Sequence, residues 1–282
     1  MFAPFSLNLR GRLLQINRPA VMGILNITPD SFYASSRAFD DETIARRVEK
    51  KIEEGADIID IGACSTRPGA SEISSDDEMQ RLKHGLKILR EVSEDIPVSV
   101  DTYRSDVAKM AVLEYGADII NDITGGDGDA DMFTTVADLH VPYILMHMRG
   151  TPATMSSMTG YDNVAAEVSA WLQRRVRELA LMGVSDVIVD PGIGFAKTVE
   201  QNYFLLNCIS LIADITGRPV LIGLSRKSMI TRPLGISAED ALSPTAALNL
   251  YAIGNGASII RVHDVKEAVM AVKLNEMLNG IF

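Results

Sequence analysis

The chain has little of what would place it in several common classes. Its two cysteines, Cys64 and Cys208, lie far apart and carry no metal-ligand spacing. They read as reduced thiols of an intracellular protein. The four histidines, His84, His140, His147 and His263, form no H-x-x-x-H or H-E-x-x-H pattern, which argues against a zinc hydrolase. No G-x-S-x-G elbow lowers a serine-hydrolase reading. No strand is followed by G-x-G-x-x-G and no G-x-x-x-x-G-K-[ST] occurs, so the two common phosphate-cradling loops are missing. Positive charge is also short: 27 Lys and Arg against 37 Asp and Glu give a net charge of −10. That excludes nucleic acid as an expected partner, because phosphate backbones are held by basic surfaces. A small anion needs only a local cluster of cations and stays open. No apolar window approaches the roughly 20 residues that span a bilayer, and no basic segment followed by an apolar stretch opens the chain. The expectation is a soluble, cytoplasmic protein.

What is present is a series of eight short apolar runs, nearly all ending in residues that can do chemistry. VMGILNIT ends at Asn26, and DIIDIGACSTR at Thr66 and Arg67. VSVDT ends at Asp101 and DIINDIT at Asn121, with Ile123 beyond it. YILMHM ends at Met146, His147 and Met148, and VIVDPG at Asp190. VLIGLSRK ends at Ser225, Arg226 and Lys227, and SIIRVHD at Arg261 and His263. A strand buried on both faces is apolar throughout. One polar end is ordinary, but polar ends on successive strands predict one ring of side chains around one site. Arg67, Arg226, Lys227, Arg261 and His263 would supply its local positive charge.

Helical patterns alternate with these runs. Residues 41–54 place Ile44, Val48 and Ile52 on one face, and 76–93 place Met79, Leu82, Leu86 and Leu89 on one face. Residues 104–115, 131–139, 161–182, 198–213, 239–253 and 264–278 also read as helices, with Asp40, Ser75, Asp162, Thr198 and Asp264 as candidate caps. Gly55-Ala56-Asp57, Gly116-Ala117-Asp118 and Gly256-Ala257-Ser258 repeat one turn, glycine providing a left-handed helix end before the next strand. Eight β-then-α units in about 240 residues predict a (β/α)8 TIM barrel in one domain over 1–282, with its active face at the carboxyl ends of the strands. Residues 1–19 fall outside the repeat and read as a short N-terminal β-hairpin around Arg10-Gly11 that caps the other end.

The motifs NITPDSF (26–32), STRPG (65–69), DPGIGF (190–195) and SRKS (225–228), with VDT, NDI, MHM and RVHDV between and after them, resemble the dihydropteroate synthase family from about residue 20 onward. The resemblance implies a transferase that condenses 6-hydroxymethyl-7,8-dihydropterin diphosphate with p-aminobenzoate, through early loss of diphosphate. It implies a pterin held by Asp101, Asn121, Ile123, Met146, Asp190, Phe195, Gly223 and Lys227. Acids and amides there can pair with the alternating donors and acceptors of an amino-pyrimidinone edge. It implies p-aminobenzoate bordered by Phe32, Thr66, Arg67, Pro68 and Ser228, and diphosphate met by Asn26, Arg67, Arg261 and His263. Asn26 would contribute to Mg²⁺, an ion that takes few protein ligands and completes its shell with water and phosphate oxygens. The catalytic set implied is Asn26, Arg67, Asp101, Lys227, Arg261 and His263. Sulfonamides as competitive inhibitors and a homodimer built on helices away from the active face complete what the resemblance implies.

Two places depart from that pattern. Ala34, Ser35 and Ser36 stand where an Asp and two Gly residues are usual, and Cys64 stands where Glu is usual. Two other readings remain open on the sequence: a methyltetrahydrofolate-binding methyltransferase barrel that serves a corrinoid, and a pterin-binding barrel without catalysis. The first has no use for STRPG, SRKS or the Arg261/His263 pair. The altered first loop leaves room for the second.

Overall fold

A computed structural model describes residues 2–27, 37–64 and 73–281, with backbone alone for 37–40. Phe32, Thr66, Arg67 and Pro68, and the altered loop at Tyr33 to Ser36, lie outside the described residues.

Phe5–Leu9 (β1) and Arg12–Ile16 (β2) form the expected antiparallel hairpin. Its two-residue turn puts both Arg10 (φ 51°) and Gly11 (φ 92°) in the left-handed region, as a hairpin matched to strand twist requires. Eight parallel strands follow: Ala20–Asn26 (β3), Ile58–Gly62 (β4), Val98–Asp101 (β5), Ile119–Asp122 (β6), Tyr143–Met146 (β7), Val187–Asp190 (β8), Leu221–Ile222 (β9) and Ile259–Val262 (β10). They pair in the order β8-β7-β6-β5-β4-β3-β10-β9. A single bridge between Val189 and Val220 brings the two ends together, so the barrel is nearly closed. The helices between strands are Arg37–Glu53 (α1), Ser75–Val92 (α2), Ser105–Tyr115 (α3), Met132–Leu139 (α4), Val164–Leu181 (α5), Val199–Asn207 (α6), Ile209–Thr216 (α7), Ser228–Leu234 (α8), Leu242–Gly254 (α9) and Val265–Leu278 (α10). None among the described residues is long and apolar enough to cross a membrane.

Three expectations about helices change. The 198–213 pattern divides at Cys208, which leaves helical geometry (φ −103°, ψ 9°) and serves as the end of α6 and the start of α7. Asp40 lies inside α1 rather than at its cap, and the caps of α2 and α5 are Ser74 and Asn163, each one residue from the expected position. Thr198 caps α6 as expected, through a full capping box with Gln201.

The period-2 rule of strands sorts the barrel into inside and outside. Val21, Ile59, Val100, Ile120, Leu145, Val189, Ile222 and Ile260 pack outward against the helices. Met22, Ile58, Ile119, Ile144, Ile188, Leu221 and Ile259 meet inside with Leu7, Leu9 and Ile16 of the hairpin. The hairpin therefore plugs the amino-terminal end and shares a sealed apolar floor with the barrel. The repeated Gly-Ala turn has a second use besides ending helices. Asp57 accepts the Val21 N–H at 2.8 Å, Asp118 that of Val98 at 2.9 Å and Ser258 that of Val220 at 3.3 Å. Each ties the start of one strand to its neighbour. Arg18 holds Asp57, while Arg90 and Arg10 hold Asp118, which also anchors the hairpin turn.

Candidate active site

Two residues above most of these floor residues, the inward positions turn polar or open: Asp60 on β4, Asn121 on β6, Asp190 on β8, Gly223 beyond β9 and Arg261 on β10, while Ile24 on β3 and Met146 on β7 stay apolar. Asp101, at the end of β5, joins them.

Arg261 is the centre of this layer. Its Nε donates to Asp60 at 2.6 Å and its Nη2 to Asp101 at 2.6 Å. Burial works against its charge, but Asp60 and Asp101 outweigh it and raise its pKa further. Asp101 is pushed up to about 7 by burial, with Arg261 pulling it down and Asp60, Glu78 and Asp122 pushing it up. Asn121, almost wholly buried, donates its amide to Asp60 at 3.2 Å. Two of the Arg261 nitrogens are thus engaged by acids on the inner wall.

Asp190 accepts the Gly192 N–H at 2.7 Å and has its pKa raised by burial, against the pull of Lys227. Lys227 donates to the Ile193 carbonyl at 2.6 Å, and its ammonium lies 4.6 Å from the Phe195 ring centroid. Burial lowers its pKa to about 8. Beside these groups lies an apolar cluster of Ile123, Met146, Met148, Met155, Phe195 and Ala196, flanked by Tyr103. A flat apolar wall thus faces a rim of acids, an amide and a lysine. Gly223 leaves the wall open, since a Cβ there would meet only Arg261 and Lys227 atoms at 3.7 Å or more.

The other end gathers Asn26, at the end of β3, and His263, one residue past the paired strand β10. The Asn26 side-chain amide has no hydrogen-bond partner among the described residues, while its carbonyl accepts from Arg47 at 3.0 Å. Lys51, one helical turn on, donates to the His263 carbonyl at 3.3 Å, with its pKa lowered to about 8 by burial. His263 Nδ1 lies 3.1 Å from the Ser225 hydroxyl. Surrounding protein, Arg261 and Lys51 hold its pKa down, at about 4, so it is a neutral ring at pH 7 and not one of the cations expected there. Arg226 is likewise spent: it forms a two-pronged pair with Asp264 at 2.8 and 2.9 Å. Ser228 is exposed at the start of α8 beside Lys227.

No group of three His, Cys, Asp or Glu residues among the described residues could hold a metal by itself. The free Asn26 carboxamide fits a Mg²⁺ whose remaining ligands are water and phosphate oxygens. Cys64 is not a nucleophile in waiting. Burial and the Glu78 carboxylate push its thiol up to about 12, so it stays protonated.

Several residues here escape a reading of strand ends. Asp60 sits within the apolar run DIIDIG, but shares its face with the terminal Gly62. Arg47 and Lys51 are basic residues beside the apolar stripe of α1, Met155 lies in a loop, and Lys197 follows the recognised DPGIGF by two positions. Same-face alternation could have found the first. The others need the fold.

A parallel barrel with a polar, partly ionised bowl at its carboxyl end and an adjoining apolar wall is the architecture of an enzyme for a flat, hydrogen-bonding heterocycle. The family model described as pterin binding enzyme matches residues 22–263, and the chain belongs to that family. It is similar to the folate synthesis bifunctional protein of Arabidopsis thaliana, at 42% identity over 90% of this chain and 55% of that protein. The chain thus spans about half the length of such bifunctional relatives. It is 40% identical to a dihydropteroate synthase of Streptococcus pyogenes over 91% of this chain and 94% of that one. Among solved structures it resembles the Xanthomonas albilineans dihydropteroate synthase with 4-aminobenzoic acid, with a TM-score of 0.90 at 35% identity, covering 99% of this chain and 100% of that one. It also resembles the Yersinia pestis enzyme in complex with a sulfonamide drug, with a TM-score of 0.89 at 34% identity, covering 98% and 100%.

Proposed function

We propose that this chain is a dihydropteroate synthase, condensing 6-hydroxymethyl-7,8-dihydropterin diphosphate with p-aminobenzoate to 7,8-dihydropteroate and diphosphate. The observation that carries the proposal is the meeting of Asp101, Asn121, Asp190 and Lys227 beside one apolar cluster, in a chain similar end to end to enzymes of that name.

In this reading the pterin lies against Met146, Ile123 and Phe195. Its amino-pyrimidinone edge meets Asp190 and Asn121, and Lys227 bonds the ring from the side of Gly223. The bond between the exocyclic methylene and the diphosphate oxygen breaks with its electron pair leaving on the diphosphate. Asp101 and Asp190 supply negative potential to the electron-poor pterin left behind. The p-aminobenzoate nitrogen then attacks the methylene carbon, and the proton it loses passes to the released diphosphate. Neutral His263 donates a hydrogen bond to the departing diphosphate, over the positive field of Arg47 and Lys51. Mg²⁺, when bound through Asn26 and diphosphate oxygens, would neutralise charge on the leaving group. Phe32, Thr66, Arg67, Pro68 and Ser228 would border p-aminobenzoate, the ground that sulfonamides compete for.

The same proposal includes a cytoplasmic homodimer. Two free cysteines support the compartment. Exposed Phe204, Leu211, Tyr251, Leu274 and Met277 on α6, α7, α9 and α10 support an apolar contact remote from the bowl.

The test is diphosphate release by folded protein given both substrates and Mg²⁺. Release that requires both, and that a sulfonamide suppresses competitively with p-aminobenzoate, is expected. Silence from folded protein would refute the assignment. Asp101→Asn and Lys227→Ala should each lower kcat/KM for the pterin substrate by at least about tenfold, the loss of one charge-assisted hydrogen bond.

A further inference from the structure

Lys197 is among the few buried lysines, and it carries none of the roles above. It follows the β8 strand by seven residues, at the end of a loop with three left-handed positions: Gly192 (φ 71°), Gly194 (φ 84°) and Ala196 (φ 50°). That alternation coils the loop inward and brings its carbonyls together around one ammonium. Lys197 Nζ donates to the carbonyls of Phe195 at 2.9 Å and Gly192 at 3.0 Å. It also lies 3.2 Å from His147 Nδ1, on the tip of β7. His147 is nearly fully buried, packs edge-on against Trp171 at 5.1 Å, and is held neutral, so its Nδ1 can accept. Gly192 makes this approach possible: a Cβ there would lie 2.0 Å from the His147 carbonyl oxygen.

Each partner of the ammonium is one step from a group assigned to the pterin. Gly192 donates its N–H to Asp190. Phe195 is one apolar wall. His147 lies between Met146 and Met148, which belong to the same wall. Lys227 holds the same loop through the Ile193 carbonyl, so the loop hangs between two lysines, one of them among the groups assigned to the pterin. Burial lowers the Lys197 pKa to about 7, with Asp190 opposing and Lys227 and Arg149 adding to the shift. The fold accepts that cost in order to place an ammonium where a neutral side chain could not satisfy three acceptors.

We propose that Lys197 is a positioning residue for the pterin ring: its ammonium clamps the loop after β8 to the tip of β7, and so sets both the aim of Asp190 and the placement of Phe195 in the apolar wall it shares with Met146. The proposal rests on the pterin placement given above. Its prediction is selective, because the p-aminobenzoate contacts lie on other loops.

The test uses the full chain and Lys197→Met, which keeps length and removes the donors. Calorimetric titration with 6-hydroxymethyl-7,8-dihydropterin diphosphate should give a Kd raised about tenfold or more. KM for the pterin should rise in parallel, while KM for p-aminobenzoate at saturating pterin stays within about twofold. His147→Phe keeps the packing on Trp171 and removes one acceptor. It should move the same two quantities in the same direction by a smaller factor, and it serves if Lys197→Met fails to fold. Unchanged pterin affinity in a folded variant, or equal loss for both substrates, overturns the clamp. Failure of the unaltered protein to bind pterin overturns the functional reading itself, and this inference with it.

Discussion

Asp60 is the acid on which the inner wall depends, although no substrate role was expected of it. It takes hydrogen bonds from both Arg261 and Asn121. Asp60→Asn leaves Arg261 paired with Asp101 alone and turns an acceptor-only group into one that can also donate toward Asn121. A fall of about ten- to a hundredfold in kcat/KM for the pterin is expected, the range for a buried charged hydrogen bond. Steady-state kinetics at saturating p-aminobenzoate will measure it, and a value within twofold of the parent would remove Asp60 from the site. His147 makes a prediction about stability. Its pKa is about 2 in the fold, lowered by burial and by Lys197, against 6.5 for the ordinary group. Below 6.5 the unfolded chain takes up a proton that the folded chain refuses, so this residue costs stability as pH falls. The slope approaches about 1.4 kcal/mol per pH unit. His147→Phe should lack it. Urea unfolding at about pH 7, 5.5 and 4.5 should find the variant gaining on the parent at each step down, and parallel curves would contradict the assignment.

At the scale of elements, the acids that open strands matter as much as those that end them. Asp118 receives Arg90 at 2.9 Å and the Val98 N–H at 2.9 Å, while Arg10 of the hairpin turn stands 3.6 Å away. Asp118→Ala should cost about 1–3 kcal/mol, by leaving the buried Val98 N–H without its acceptor and removing the carboxylate beside Arg90, which keeps its carbonyl acceptors, read as a lower urea midpoint with unchanged m. Activity per folded molecule should be kept. Much of this architecture was legible in the sequence. The eight strands, the hairpin and most helices follow from apolar runs and 3.6-residue spacing, because those patterns report burial directly. What escaped has identifiable causes. The break at Cys208 is a single non-helical residue that barely disturbs the apolar spacing. α8, with seven residues and Pro233 inside it, is too short to display a period. Asp101, Asn121, Asp190 and Lys227 stand out in the sequence because they terminate apolar runs, and the fold gathers them at one end of the barrel. Asp60 lies inside such a run, where a reading of strand ends passes over it. The pairing of Arg261 with the acids of β4 and β5 is a contact between strands that linear order does not display.

For the whole molecule, a net charge of −10 coexists with a bowl in which Lys227, Arg261 and the nearby Arg47 and Lys51 gather. The proposed dimer would leave that bowl open. Leu274→Glu on α10 should shift sedimentation from about twice the chain mass toward the monomer, since a desolvated carboxylate opposes an apolar contact. Turnover should persist if each bowl is complete within one chain. The plugged floor also bears on how reproducibly the chemistry is set. A slip of one residue in any strand would exchange inside for outside, and the apolar outer layer would resist it. A slip of two would preserve that alternation while lowering Asp190 to the level of Ile188, or Arg261 to that of Ile259. Leu7, Leu9 and Ile16 already occupy the space below. A charge pushed down would meet hydrocarbon on every side. The hairpin thus works as a depth gauge, so that the height of each acid and base in the bowl is measured from the far end of the barrel.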